Sequence, residues 1–191
     1  MNPGRPIRIL DFDTESRPLN YLGRDFVYGE ITAIAWGWAD EEEVDVKLLT
    51  KDDRSRASML KAFKKVYDAA DMVTGHFIRG HDLPRLNGAL MELDLQPLGA
   101  KMTCDTYGDL VKRQQLGVSQ ENLADLLNVE APKVGMNQIK WRTANRLQRQ
   151  GLELTRLRCV GDVIQHKQLR LALLERDLLN APKTWRPEGK R

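Results

Sequence analysis

The chain has 191 residues, of which 41% are hydrophobic and 30% are charged, and its formal net charge is +3. This length suits one domain with a real core, and the hydrophobic share excludes a disordered chain. The sequence contains no apolar run of membrane-spanning length, and Met1 is followed by polar residues rather than by the apolar segment of a signal peptide. Cys104 and Cys159 form no CxxC pair, so we expect a reduced, cytoplasmic protein without a structural zinc site.

The predicted elements change in type along the chain. Strands are predicted over residues 7–13, 31–38, 44–49, 71–75 and 101–106, and helices over residues 55–70, from 82 onward, and over 107–116, 119–127, 138–149 and 152–179. Three adjacent strands followed by alternating helices and strands predict an α/β fold, with a mixed five-stranded sheet flanked by helices and a helical C-terminal part. This is the element order of the ribonuclease-H-like fold. We expect one domain over residues 1–180 and a basic tail over 181–191.

Positive charge concentrates near the C-terminal end. Residues 140–191 contain thirteen Lys and Arg against five Asp and Glu, whereas the rest of the chain is acidic overall. This distribution suits a polyanionic substrate, although a solvated helical surface has the same composition. As nucleic-acid contacts we predict the basic side chains of one helical region, with Trp141 beside them: Lys140, Arg142, Arg146 and Arg149.

A first pair of acids ends the first strand, in the segment I-L-D-F-D-T-E-S. Asp13 and Glu15 are two residues apart, so both side chains point to one face of the strand, with Thr14 turned aside. Two carboxylates on one face suit a hard cation such as Mg²⁺ or Mn²⁺, and two solvated loop acids are the alternative.

Two further acids lie in the helical parts. Asp82 follows a short apolar strand and a small loop and opens a helix, so it is also explained as an N-cap. Asp162 lies inside the last long helix, where it could pair with Arg158 or His166 at a spacing of four residues. Its apolar neighbours predict partial burial, and a half-buried carboxylate needs a partner, which a metal would supply.

Four carboxylates in one pocket would raise one another's pKa and would destabilise the metal-free fold. Two divalent cations about 3.5–4 Å apart would relieve this repulsion and would supply the chemistry of phosphodiester hydrolysis. We therefore predict two Mg²⁺ or Mn²⁺ ions as cofactors, with Asp13 as the bridging ligand.

The same segments match a known family. D-F-D-T-E-S, G-H-F-I-R-G-H-D-L-P-R-L and C-V-G-D-V-I-Q-H-K-Q-L resemble, in order and spacing, the three motifs of DEDD-type, DnaQ-like 3′–5′ exonucleases. The chain is most similar to the polymerase-B-like branch, over roughly residues 7–175. The resemblance implies metal ligands at Asp13, Glu15, Asp82 and Asp162, and contacts of Tyr21 and Leu22 with the terminal nucleotide.

The chain also departs from this family. The family usually has Tyr four residues before the last Asp, or His five before it, and here these positions are Arg158 and Leu157. Arg is always protonated and cannot act as a general base. Three explanations stay open: the metals need no protein base and Arg158 binds the scissile phosphate, His166 or His81 substitutes as a base, or catalysis is weak. In the second motif, Phe77 replaces the usual Asn and His81 the usual Phe.

We therefore predict a metal-dependent 3′–5′ exonuclease that acts on single-stranded or 3′-ended DNA or RNA. The alternatives are a nucleic-acid-binding or accessory protein on the same fold, and a structure-selective endonuclease. A separate polymerase is an expected partner for any proofreading role. The expected setting is the cytoplasm of a bacterium or of a phage-infected host, with no association with a membrane.

Overall fold

The central sheet has six strands in the order β3-β2-β1-β4-β5-β6. The structure, a computed structural model, describes residues 5–19, 29–111, 117–131 and 134–188. The strands are β1 (Ile9–Pro18), β2 (Gly29–Trp38), β3 (Asp45–Leu48), β4 (Met72–Gly75), β5 (Lys101–Asp105) and β6 (Lys183–Trp185). The first three form an antiparallel meander, β4 and β5 run parallel to β1, and β6 is antiparallel to β5. The predicted mixed α/β fold is confirmed, with a sixth strand inside the segment predicted to be a basic tail.

Five helices flank this sheet within the described residues. They are α1 (Arg54–Ala69), α2 (Asp82–Glu92), α3 (Gln120–Leu126), α4 (Gln138–Asn145) and α5 (Arg149–Leu174). Ser119 caps α3, since its side chain accepts a 3.2 Å hydrogen bond from the backbone N–H of Asn122. Helices α4 and α5 approach closely at Gly151, where a Cβ atom would lie 2.2 Å from the carbonyl oxygen of Thr143.

Successive side chains of β1 point to opposite faces of the sheet, one toward the hydrophobic core and the other toward the predicted acidic site. Leu10 and Phe12 are buried on one face, in a cluster that includes Met59 and Phe63 of α1. The opposite face carries acids rather than apolar residues, and α5 covers this face: Asp11, Asp13 and Glu15. Two strand residues advance about 6.6 Å and four helical residues about 6 Å, so every second residue of β1 meets every fourth residue of α5.

One predicted helix is wrong in its described part. Residues 106–108 form a turn and Leu110 pairs as an isolated bridge with Leu179, whereas residues 112–116 lie outside the described residues. The carboxylate of Asp105 accepts hydrogen bonds from the backbone N–H groups of Tyr107 and Gly108, at 3.0 and 2.9 Å. These are the contacts of an N-cap side chain, but the backbone that follows pairs elsewhere: the N–H of Val111 donates to the carbonyl oxygen of Leu178 at 2.8 Å, and the carbonyl oxygen of Asp109 accepts from the N–H of Asn180 at 2.7 Å.

Candidate metal centre

Three of the four predicted carboxylates converge between β1 and α5. Asp13, Glu15 and Asp162 each offer a ligand oxygen, and these atoms all lie within 4.8 Å of one another. Asp13 and Glu15 share a face because they are two residues apart on β1, and Asp162 reaches them from the buried side of α5. Glu15 and Asp162 are buried, and Asp13 is partly buried.

The fourth predicted carboxylate, Asp82, is not part of this group of three, and its contacts are with Thr14 and His81. It is the first residue of α2, with His81 rather than Asp82 itself at the N-cap position. Its Oδ1 accepts a hydrogen bond from the hydroxyl of Thr14, and its Oδ2 lies 3.5 Å from Nδ1 of His81. Its charge still raises the pKa of Asp13. Thr14, predicted to turn aside, is thus what fixes Asp82 beside the cluster.

The electrostatics of the cluster favour a bound cation. Burial, followed by the charges of Asp82, Asp162 and Glu15, raises the pKa of Asp13 well above its usual range. Burial also raises the pKa of Glu15 to about 7, although the nearby guanidinium of Arg158 opposes this shift. Because every donor is a carboxylate oxygen and the carboxylates raise one another's pKa, these residues fit a hard divalent ion such as Mg²⁺ or Mn²⁺.

Arg158 lies directly on the carboxylates. Its Nε is 3.0 Å from Oε1 of Glu15 and 3.0 Å from Oδ2 of Asp162. Its Nη1 donates a hydrogen bond of 3.3 Å to the carbonyl oxygen of Val134. The spacing of four residues predicted the pair with Asp162, but the contact with Glu15 depends on the docking of α5 on β1.

A cleft of about 260 Å³ opens over the cluster. Its lining includes three predicted site residues together with His76 and the start of α3: Asp13, His76, Ser119, Gln120, Glu121, Arg158 and Asp162. Gln120 is fixed there because its Nε2 donates to the carbonyl oxygen of Asp162 at 2.9 Å and to Oε1 of Gln165 at 3.1 Å. The contribution of α3 could not be predicted from the sequence, because the start of a helix gives no sign of the side chains that it faces.

The three histidines occupy different positions. His166, a predicted substitute base, is 1% exposed, and its Nδ1 lies 3.0 Å from Oδ1 of Asp11. His81 is half-buried beside Asp82. His76 lines the cleft, and burial lowers its pKa to about 4, so its ring is neutral at neutral pH. His76, which its sequence context did not single out, is therefore the histidine placed at the cleft.

An aromatic pair of one exposed and one partly buried ring borders His76. The ring of Phe77 is 42% exposed and its centroid lies 4.6 Å from that of Tyr107, which in turn meets His76 edge-on at 5.6 Å. Phe77 has a φ of 65°, in the left-handed region that Asn adopts more readily than Phe. Phe77, at a position where the family it resembles usually has Asn, thus places an exposed aromatic ring on a strained backbone next to the cleft.

Of the predicted nucleic-acid contacts, Arg158 lines the cleft, whereas the four basic residues around α4 are not part of its lining. Lys140 and Arg142 are on α4, Arg146 is its C-cap and Arg149 begins α5. Arg142, Arg146 and Arg149 are exposed, whereas the Nζ of Lys140 donates to the carbonyl oxygen of Gly135 at 2.8 Å. Trp141 is partly buried. The predicted contacts at Tyr21 and Leu22 lie outside the described residues.

Comparison with known proteins gives a structural relative only. No protein-family model matches the chain, and no curated protein matches it. A solved structure that is similar is the family B DNA polymerase from the hyperthermophilic archaeon Pyrobaculum calidifontis, with a TM-score of 0.69 and 17% sequence identity. The match covers 89% of this chain but only 25% of the polymerase chain. At this identity the likeness shows the fold, which is an α/β fold consistent with the ribonuclease-H-like class.

Proposed function

We propose that this protein is a metal-dependent 3′–5′ exonuclease that hydrolyses phosphodiester bonds at DNA or RNA ends. The observation that supports this proposal most directly is the convergence of Asp13, Glu15 and Asp162 beside a cleft that Asp13 and Asp162 line. The structural likeness to a DNA polymerase agrees with a nucleic-acid substrate.

In this proposal the chain supplies a shaped anionic site. Asp13, Glu15 and Asp162 would hold two Mg²⁺ or Mn²⁺ ions, and Asp82, whose charge raises the pKa of Asp13, would be the fourth ligand. These ions, when bound, supply the charge that activates an attacking water and stabilises the leaving oxygen. Arg158 lies at the cleft, where a guanidinium can bind a phosphate oxygen.

Basic and aromatic side chains would extend the contact with nucleic acid. Arg142, Arg146 and Arg149 are exposed and carry positive charge that attracts the phosphate backbone. Phe77 and Tyr107 offer aromatic rings beside the cleft, on which an unpaired base can stack. These features favour a single-stranded end over an intact duplex.

A separate polymerase chain as a partner and a cytoplasmic setting stay predictions. No described helix is long and apolar enough to cross a bilayer.

The test is a time course on 5′-labelled single-stranded DNA and RNA, with Mn²⁺, Mg²⁺ or EDTA. The wild type should give a metal-dependent ladder that shortens from the 3′ end, and Asp13→Asn and Asp162→Asn should give none. Asp68→Asn is the matched control, because Asp68 is an exposed acid on α1 that pairs with Lys64. Undiminished cleavage by both site variants would falsify the assignment of these carboxylates.

A second function has one observation in its favour. Arg158 occupies the position of the family's water-orienting residue and pairs with two of the carboxylates. Loss of a general base typically slows a reaction about 10²–10⁴-fold. Salt-sensitive binding of single strands without any ladder would identify a nucleic-acid-binding protein, and cuts within circular single strands would identify an endonuclease.

A further inference from the structure

The guanidinium of Arg158 occupies space that a metal ion would need. Its Nε lies 3.0 Å from oxygens of both Glu15 and Asp162, which are two of the three clustered carboxylates. Mg²⁺ binds carboxylate oxygens at about 2.1 Å, so an ion on these same oxygens would lie a few ångströms from a permanent positive charge. The guanidinium and a metal ion therefore compete for the Glu15–Asp162 pair.

The other buried arginine of α5 shows a different arrangement. Arg170 is 5% exposed and donates to both oxygens of Asp11, away from the cleft lining. The side chain of Arg158 is 22% exposed and lines the cleft, and its Nε lies 3.0 Å from an oxygen of each of its two carboxylates. Arg170 has the geometry of a fixed structural ion pair, whereas Arg158 can rotate toward the cleft without leaving a sealed interior.

We propose that Arg158 is an internal cation that neutralises the Glu15–Asp162 pair in the free protein and moves onto a phosphate of the bound nucleic acid. This inference rests on the proposed metal-dependent function of the same cleft. A phosphate in the cleft is negatively charged, like the carboxylates, and can bind the guanidinium through two oxygens. Arg158 therefore stays paired when it moves. The vacated carboxylate oxygens then accept a metal ion.

Reciprocal coupling between two ligands follows from this exchange. If a phosphate makes the divalent ion bind more tightly, then the ion makes the phosphate bind more tightly by the same factor. The free protein would bind the divalent ion weakly, and the site would be fully occupied only when a nucleic-acid end is bound. Arg158 therefore stands at the position of the water-orienting residue but has a different role, which is to make metal binding depend on a bound phosphate.

The experiment is a Mn²⁺ titration by calorimetry of the wild type, Arg158→Gln and Arg158→Ala, with and without thymidine monophosphate. This nucleotide carries a phosphate but has no internucleotide bond to cleave. Without nucleotide, both variants should bind Mn²⁺ at least about tenfold more tightly than the wild type, since the competing cation is gone. With nucleotide, the wild type should gain more Mn²⁺ affinity than either variant.

The matched control is Arg156→Gln. Arg156 lies on the same helix and pairs with Glu153 at 2.6 Å, so its removal lowers the net charge equally without touching the cluster. Its Mn²⁺ affinity should equal that of the wild type. For a variant that unfolds in EDTA, the Mn²⁺ concentration that restores the fold gives the affinity after correction for the free energy of unfolding of the metal-free variant.

Two results would overturn the inference. One is equal or weaker Mn²⁺ binding by both Arg158 variants, and the other is an equal gain from nucleotide in the wild type and the variants. Because no step of this titration requires cleavage, failure of the exonuclease assay would leave the result intact.

Discussion

Arg170 on α5 holds Asp11 on β1 through two hydrogen bonds of 3.0 Å, one to each carboxylate oxygen. His166 adds a third contact of 3.0 Å to Oδ1. Burial raises the pKa of Asp11, but the hydrogen bonds and charges of His166 and Arg170 outweigh it, and the net pKa is lowered. Since Asp11 and Asp13 share one face of β1, this contact also sets where α5 crosses the strand and places Asp162 against Asp13.

The Asp11–Arg170 contact makes a first prediction about stability. Arg170→Leu should lower the free energy of unfolding by about 3–5 kcal/mol, because it leaves a buried carboxylate without its cation. Urea unfolding in EDTA measures this loss. Lys64→Gln, which breaks the exposed pair with Asp68, should cost less than about 1 kcal/mol. The double variant Asp11→Leu, Arg170→Leu should be more stable than Arg170→Leu alone; an equal or larger loss would show that the pair is not the source of the effect.

The parts of the site that could be predicted from sequence are those set by local periodicity. The two-residue spacing of Asp13 and Glu15 fixes their common face, and the four-residue spacing of Arg158 and Asp162 fixes their contact. The contact of Asp11 with Arg170 could not be predicted, because it exists only after α5 docks on β1. An acid inside a strand looks the same in sequence whether solvent or a distant arginine neutralises it.

The helix predicted from Tyr107 failed for a related reason. Residues 107–116 have helical periodicity, but the backbone of Asp109 and Val111 is hydrogen-bonded to Asn180 and Leu178 instead of within a helix. These partners follow α5 and are distant in sequence. The local pattern was outweighed by a contact between two loops, which no window along the chain contains.

The pH dependence of the metal-free protein follows from Glu15. Burial raises its pKa from 4.5 to about 7. Between these values the folded protein binds more protons than the unfolded chain, so the contribution of Glu15 is complete below pH 4.5 and is lost as the pH rises through about 7. The Tm of the wild type in EDTA should therefore fall relative to that of Glu15→Gln between about pH 5 and about pH 8.

Differential scanning calorimetry across this range gives the comparison. Glu42→Gln is a control at an exposed acid of the β2–β3 turn, and its difference from the wild type should change much less with pH. Saturating Mn²⁺ should reduce the fall of the wild type at high pH, because the ion stabilises the ionised carboxylates. A gap between wild type and Glu15→Gln that stays constant with pH would contradict the effect of burial on Glu15.

Phe77 allows strain and base stacking to be separated. Its φ of 65° costs a non-glycine residue about 1–3 kcal/mol, and Asn tolerates this conformation better than Ala or Phe. Phe77→Asn and Phe77→Ala both remove the contact with Tyr107, so the Asn variant should be the more stable of the two by about 0.5–1 kcal/mol. Urea unfolding decides this order, and a more stable Ala variant would mean that the backbone relaxes on substitution.

The same two variants test the aromatic pair as a binding surface. Stacking of one base on an aromatic ring contributes about 1–3 kcal/mol, so both variants should bind single-stranded DNA more weakly by roughly tenfold. Fluorescence anisotropy of a labelled oligonucleotide in EDTA measures the affinity. Retained affinity in both variants would assign the exposed ring to packing against Tyr107 alone.

Asp105 connects the loop after β4 with the turn after β5, and its removal should affect both stability and the cleft. Its carboxylate accepts four backbone hydrogen bonds, from Phe77, Arg79, Tyr107 and Gly108, at 2.9, 3.0, 3.0 and 2.9 Å. A hydrogen bond to a charged group contributes about 1.5–3 kcal/mol, so Asp105→Ala should lower the free energy of unfolding by more than about 3 kcal/mol.

Asp105→Asn should fall between the wild type and the Ala variant, because its amide oxygen can keep the three bonds that Oδ1 accepts. Asp125→Ala, at an exposed position of α3, is the control and should have little effect. Hydrogen exchange should be faster at Phe77 and Arg79 in Asp105→Ala, where both N–H groups lose their acceptor, and faster only at Arg79 in Asp105→Asn, where this N–H group faces an amide nitrogen. This loop carries His76 to the cleft and leads into Asp82, so metal-dependent cleavage should fall in the same order as stability. A variant that shows faster amide exchange in the loop but full cleavage would show that the loop does not position the site.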